Sequence, residues 1–321
     1  MIKRILLSLL ALLLLLVAAV AVNTIRQGSR QLHVPAVPPL AIDEKALADK
    51  LAGALRFKTI SSSADADLNA PMSVLLRVAT APGHSSMPPP RGSSATGMMS
   101  AALRRLDDNQ LPAAMRGIAH EMFDTLAPEM SGFGRVAWSN LWLFGPVVQA
   151  KLEQGASTSA MLRTTTALTV VHAGNQFNVL PGVAEATVNY RILPGDTGAQ
   201  VMQHVKETVG NEGFELKAAP DAYDPPPVSP TTSASYQLIN RTIRAVFPGT
   251  VVAPSLMIGG TDSRHFSGIS NKIYRFSPVR AKAQDLARFH GTNERIATGN
   301  LAELVHFYHQ LLRNASTAPS P

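Results

Sequence analysis

Two short runs near the C-terminus carry the residue types best suited to chemistry, Gly259-Gly260-Thr261-Asp262-Ser263-Arg264-His265 and Phe289-His290-Gly291-Thr292-Asn293-Glu294. A His followed at once by Gly puts an imidazole on a tight loop; imidazole binds zinc well, and Gly lets the backbone turn close to an ion. Zinc wants three or four protein ligands, so His290 alone is not a metal site. The chain has no Cys, no His-x-Asp, no Glu-Glu pair and no His-Glu-x-x-His. The nearest run, His120-Glu121-Met122-Phe123-Asp124, sets carboxylates around one His without a second imidazole at helical spacing. A Gly-x-Ser-x-Gly nucleophile elbow is missing too. The sequence offers one end of a metal-dependent site and not the other.

Each of these residues has a plainer reading. Asp262 could cap its loop or orient His265, and Arg264 could be a surface ion-pair partner. His306 and His309 stand three apart on a predicted helix, a spacing that can bind metal but that more often marks a solvated face. His84 between Gly83 and two Ser residues reads as a loop histidine, and Asn178 as a turn residue.

Four stretches together resemble the M20 family of zinc metallopeptidases and amidohydrolases, within it the carboxypeptidase S and N-acyl-amino-acid hydrolase branch. They are Pro82-Gly83-His84-Ser85-Ser86-Met87-Pro88, Gly174-Asn175-Gln176-Phe177-Asn178-Val179-Leu180-Pro181-Gly182, the Gly-Gly-Thr-Asp-Ser-Arg-His run and the His290-Gly-Thr-Asn-Glu-Arg-Ile run. The resemblance covers almost everything from about residue 72 to 313. It implies a two-zinc α/β catalytic domain with a smaller α+β dimerisation domain inserted in it. It also implies roles: His290 as the last zinc ligand, His84 as the residue that helps hold the oxyanion in a partner subunit's site, and Asn178, Gly260, Thr261 and Arg264 as substrate-binding residues. An Arg for the substrate carboxylate is chemically sensible, because guanidinium and carboxylate pair through two parallel hydrogen bonds.

The sequence departs from the family where the metal should be held. Members carry a His-x-Asp ligand, a bridging Asp, a Glu-Glu pair and another carboxylate between the first helix and the dimerisation domain. Here the chain passes from Arg56-Phe57-Lys58-Thr59-Ile60-Ser61 to the first predicted dimerisation strand at Ser73 in about a dozen residues, none of them His or Glu. Loss of the metal-binding half, and so of catalysis, is the expectation. Its counterpart is a non-catalytic binding module that forms a homodimer or pairs with a related M20 chain. Zinc is implied by the resemblance alone, as is a small N-acyl amino acid or peptide substrate.

Composition bounds these readings. At 321 residues and 45% apolar content the chain is long enough for two domains and a core. Lys3 and Arg4 precede an apolar run from Ile5 to Val22 interrupted only by Ser8, about long enough to cross a bilayer. An uncleaved anchor is favoured by the length of the run, with a cleaved signal peptide as the other reading. The basic flank keeps the N-terminus inside and the bulk of the chain extracytoplasmic. The net charge of +7 is scattered, with Arg104-Arg105 the only adjacent basic pair after the anchor, which argues against nucleic acid as a partner.

The expected layout is an anchor or signal at 1–22, a Pro-containing linker at 23–42, the first helix of a truncated catalytic domain at 43–70, the dimerisation domain at 71–223, and the C-terminal part of the catalytic domain at 224–315. Asp43 reads as an N-cap for a helix to about Phe57. Within the second domain a strand at 73–80, a helix at 93–107, strands at 167–172 and 184–193, a helix at 197–210 and a strand at 214–219 make a β-α-β-β-α-β pattern. Residues 111–162 form a mostly helical insertion holding Trp138 and Trp142, whose apolar stretch at 138–148 either packs on its own domain or faces a membrane or acyl chain. After Pro225-Pro226-Pro227 a helix at 234–247, strands near 251–257 and 272–276, and a helix at 298–313 are expected, leaving unpaired strand edges.

Overall fold

The computed structural model describes residues 1–56, 72–210, 213–220, 223–289 and 291–317. It begins with α1 (Ile2–Arg26), an exposed helix long and apolar enough to cross a membrane, a test that a signal sequence also passes. The helix continues past the apolar run through Asn23-Thr24-Ile25-Arg26. Helix α2 (Glu44–Ala54) starts where expected, because the Asp43 carboxylate accepts the Ala46 amide at 2.9 Å and so satisfies one of the orphan donors of its first turn. It ends before the expected Phe57, which lies outside the described residues together with the rest of 57–71.

The β-α-β-β-α-β pattern folds as read. Strand β1 (Met72–Ala79) is followed by the two-residue strand β2 (Gly83–His84) and by α3 (Ala95–Asp108). The insertion contributes α4 (Gly117–Leu126), α5 (Gly132–Ser139), α6 (Leu141–Glu153) and α7 (Ala156–Ser159). Then come β3 (Thr165–Ala173), the short β4 (Val179–Leu180), β5 (Val183–Arg191), α8 (Gly198–Val209) and β6 (Phe214–Ala218). The sheet order is β3-β5-β1-β6, every pairing antiparallel.

Period-two burial decides which face of this sheet is covered. Val74, Leu76 and Val78 on β1 and Ala184, Ala186, Val188 and Tyr190 on β5 are all buried, and they meet Met99, Ala102 and Leu106 of α3 and Val201, Val205 and Val209 of α8. Residues between them face out, and there a charged ladder replaces the apolar one: Arg77 lies opposite both Glu185, at 3.2 Å, and Glu215, at 3.8 Å. Helix α8 opens with a reciprocal capping box between Thr197 and Gln200 and closes under the Arg105 guanidinium, which donates to the carbonyls of Thr208 and Val209.

Within the insertion, Trp138 packs against Phe123 with ring centroids 4.3 Å apart, beside buried Met122 and Leu162. Trp142 does not join this cluster and is 60% exposed.

The C-terminal part holds α9 (Ala234–Val246) and α10 (Thr298–Thr317), which pack on each other, while α10 also packs on α2. The strands expected at 251–257 and 272–276 do not form; neither segment joins a ladder. A strand exists only with a neighbour to hydrogen-bond, and in place of one these segments are held by side chains. The Ser229 hydroxyl receives the Ile273 amide at 2.8 Å and donates to its carbonyl at 2.9 Å, and Gln31 bonds both the amide and the carbonyl of Val252. The linker expected at 23–42 is likewise no free spacer. The Val37 amide donates to the Ala245 carbonyl at 2.9 Å, and Arg244 donates to the Leu32 carbonyl and to the Gln31 side chain.

The start of α10 is tied to the preceding loop by Arg280, which grips Glu303 through two hydrogen bonds of 2.6 and 2.7 Å. The guanidinium holds the Glu303 carboxyl below its ordinary range, with Asn300 assisting. A depressed carboxylate stabilises above its unfolded value and loses that contribution as pH falls through the folded one. Glu303→Gln is therefore expected to lower stability at neutral pH by no more than about 1 kcal/mol for so exposed a pair, with a small drop in thermal midpoint, and to make no difference in acid. Melting curves of both proteins across pH check this; an equal gap at every pH would show that the charge pair is not the cause.

Candidate functional site

The Gly259–His265 run lies on a loop that enters a short 3-10 turn, Asp262–Phe266. The turn is closed by the Arg264 amide donating to the Thr261 carbonyl at 3.1 Å. Thr261 and Ser263 hydroxyls bond each other, and the Arg275 Nε donates to both, at 3.0 and 2.6 Å. Arg264 reaches the Tyr223 hydroxyl at 3.4 Å, with its guanidinium 5.6 Å from the ring centre. The Gly260 backbone comes close to Arg191 at the end of β5: a Cβ on it would stand 3.6 Å from Nη1.

These residues border a cavity of about 440 Å³ between the end of β5, the Pro225-Pro226-Pro227 segment, α9 and the loops at 252–261 and 273–276. Gly260, Thr261 and Arg264 all line it, so three of the expected substrate-binding residues converge. Arg191, Arg264 and Arg275 line it, no Asp or Glu does among the described residues, and its body is apolar, with Ile239, Leu256 and Ile258 among the lining side chains. An anion with a hydrophobic tail is what such a lining complements. Burial pushes the Tyr236 phenol above its ordinary value, with Glu121 and Tyr274 adding to the effect, so this cavity-lining hydroxyl stays a protonated donor.

His84 sits in a separate place. Strands β2 and β4 pair His84 with Val179, and the Ser85 amide donates to the Asn178 carbonyl at 3.0 Å, so His84 and Asn178 are neighbours, both exposed. The Gly174 backbone at φ 65° starts the turn that presents Asn178. His84 Nδ1 takes the Ser86 amide at 3.3 Å and lies 2.8 Å from the Ser86 hydroxyl. An amide can only donate, so Nδ1 is the acceptor and the neutral ring carries its proton on Nε2. That N–H is the donor an oxyanion would need.

The two groups of residues are not brought together within one chain. His84 and Asn178 sit by the β2–β4 pair, ahead of the start of β5, and do not line the cavity, whereas Gly260 lies beside Arg191 at the end of β5.

His290 lies outside the described residues. On either side of it, the Gly291 amide donates to the Arg288 carbonyl at 2.9 Å, and Asn293 adopts φ 62°, a conformation Asn tolerates better than most residues. Among the described residues no three His, Cys, Asp or Glu gather where they could hold a metal ion. The donor set on view does not fit a zinc pair, which needs several imidazole and carboxylate ligands converging within about 2 Å of each ion.

Reasoning from sequence missed Arg191, Arg275, Tyr223 and Tyr236. Arg191 was legible as the last residue of an alternating strand, but nothing local told which loop would meet it.

Residues 71–217 match the family described as the peptidase dimerisation domain of M20 enzymes. The chain is 44% identical over 248 residues to the N-fatty-acyl-amino acid synthase/hydrolase PM20D1 of Xenopus tropicalis, covering 77% of this chain and 48% of that protein. It is 39% identical over 241 residues to carboxypeptidase S-like 2 of Dictyostelium discoideum, covering 75% and 46%. It thus spans about half the length of the curated relatives it matches. The fold is also similar to a solved M20 family metallo-carboxypeptidase of Sulfolobus solfataricus, 15% identical, over 75% of this chain and 57% of that one, with a TM-score of 0.49. With its β-α-β-β-α-β domain matched and a relative 44% identical over 77% of its length, the chain belongs to the M20 peptidase family, whose metallopeptidases depend on a metal.

Proposed function

We propose that this chain is an M20-type amidohydrolase by descent that binds the carboxylate of an N-acyl amino acid or peptide at the Arg-rimmed cavity, works as a dimer, and is impaired in hydrolysis. The observation that carries the binding half is the convergence of Gly260, Thr261 and Arg264 on one cavity lined by three Arg and an apolar body. The relative named for N-fatty-acyl-amino acids fits such a ligand. The substrate carboxylate takes the Arg rim and the acyl chain the apolar body, which puts the amide between them.

The separation of His84 and Asn178 from the cavity within one chain supports a dimeric site. His84 and Asn178 of one subunit serve the cavity of the other, the His84 Nε2–H holding the amide oxygen. The open edge of β3 supports the dimer. It is an edge strand with Leu168, Val170 and Val171 exposed and no acidic or basic residue other than His172, so it lacks the charges that usually guard an edge. Val171→Lys is expected to shift the chain from dimer to monomer in sedimentation; an unchanged dimer would place the contact elsewhere.

The impaired half rests on the sequence, which has no His-x-Asp and no Glu-Glu pair to hold a metal and a general base. No hydrolytic step is assigned to the described residues. The N-terminal helix as an uncleaved anchor, with the bulk of the chain extracytoplasmic, completes this reading; the other is a membrane-anchored dimerisation module without a ligand.

The test is calorimetric titration of the full chain in detergent with an N-acyl amino acid and with its methyl ester, alongside zinc content and amide turnover. Binding of the acid, weaker binding of the ester, no turnover and no stoichiometric zinc are expected. About two zinc ions with turnover, as the family mechanism requires, would overturn the impairment. Equal binding of acid and ester would overturn the cavity assignment, and no binding of either would favour the dimerisation module.

A further inference from the structure

Beyond the cavity, the geometry points to a second lipid contact: we infer that the corner between α5 and α6 is an interfacial membrane-docking surface, seated in the same bilayer that α1 crosses. This rests on α1 being retained as an anchor. The evidence for it is a knot of polar groups that fixes the corner against one level of α1. Asn140, between α5 and α6, has no exposed surface; its Nδ2 donates to the Val136 carbonyl at 2.8 Å, to the Thr24 hydroxyl at 2.9 Å and to the Val20 carbonyl at 3.3 Å. From the other side, Asn23 Nδ2 donates to the Ser139 carbonyl at 2.6 Å and to Asn140 Oδ1 at 3.1 Å. Arg135 and Gln27 add two bonds of 3.3 Å.

Val20 to Thr24 is where the apolar run of α1 ends. The run from Ile5 to Val22 is about 27 Å long as a helix, close to the thickness of a hydrocarbon core, so its last residues lie at the membrane surface. The corner is held at that depth.

What the corner presents there is apolar. Phe133, Trp142 and Val147 are exposed by 70%, 60% and 71%, and Phe133 packs edge to face on Phe144 at 5.5 Å. Between Gly132 and Ala150 the single charged residue is Arg135, which is already bonded to α1. The Trp142 indole N–H donates to Asn140 Oδ1 at 3.2 Å, so the polar tip is tied to the knot while the ring is left outside. Amphipathic aromatics at the headgroup level and a short apolar helical surface beside a span are the features of interfacial insertion. Water is the worse neighbour for these exposed side chains, which have no charged group on their stretch apart from Arg135.

Trp142 and Trp138 are the chain's only Trp residues, which makes the test direct. The full chain is reconstituted in phosphatidylcholine vesicles carrying bromine at a shallow acyl position. Flotation reports the anchor, and Trp emission reports the corner, with Trp142→Phe identifying the signal. Flotation with a bromine-quenched component that disappears in Trp142→Phe is the expected result. Flotation without that component overturns the docking surface and leaves the anchor standing. If Trp142 is then also shielded from aqueous acrylamide, a second copy of the chain covers the corner instead. Failure of the intact chain to float overturns the anchor and the docking surface together.

Discussion

Leu76→Ala is expected to destabilise the four-stranded domain by about 2–5 kcal/mol, because it removes a fully enclosed side chain and leaves a cavity that the surrounding sheet and helices cannot close. Leu76 is 1% exposed and lies on the central strand β1, between Ala186 of β5 and Leu216 of β6. Its sequence neighbour provides the control: Leu75 points to the other face and is 43% exposed, so Leu75→Ala should cost well under 1 kcal/mol. Hydrogen exchange of the β1 and β5 amides in the full chain reads both. Faster exchange in Leu76→Ala with near-normal protection in Leu75→Ala is the expected pattern. Equal effects would mean that the outer face is covered as well, most simply by a partner.

The second large effect falls on the ligand. Arg264→Ala is expected to weaken binding of an N-acyl amino acid by about 10- to 100-fold, the loss of a charge-assisted pair worth some 1.4–2.8 kcal/mol. Binding of the corresponding ester, which offers no anion, should change little. Arg264→Lys should recover part of the affinity but not all, since an ammonium keeps the charge without the fork. Titrations of the three proteins with both ligands decide the matter. A parallel loss for acid and ester would show instead that Arg264 acts through the fold, by way of its contact with Tyr223.

The parts of the fold that were legible are those whose signals are local. Strands β1 and β5 alternate cleanly and Asp43 marks the start of α2, so these faces and this end are legible without a partner, while the caps at Ser94, Thr197 and Ser233 emerge in the structure. The segments at 251–257 and 272–276 were misread for the complementary reason. Their composition suits strands, but a ladder needs a second strand, and whether one is present is not written in the segment itself. The docking of Gln31 and Val37 on the C-terminal half was hidden likewise, because a Pro-containing linker looks the same whether it is free or held. In the site, Gly260, Thr261 and Arg264 came from one motif and stayed together, and His84 was joined to Asn178 by the pairing of two-residue strands. The Arg191 and Arg275 contributions depend on contacts across many residues of sequence, which no spacing rule reaches.

The hydrogen bonds that fasten residues 31–37 to α9 and the 252 loop change how far the body can wander from its N-terminal helix. Left free, the 16 residues from Gln27 to Ile42 would form a leash able to reach about 50 Å, letting the body swivel and tumble above its point of attachment. In the structure it is pinned from Gln31 onward, and ahead of that Gln27, Ser29 and Arg30 are held to Ser139, Glu129 and Asp124, so little slack remains. Rotational freedom is thereby removed before any partner arrives, so two chains attached to one surface would meet already sharing an orientation, with less left to lose on pairing.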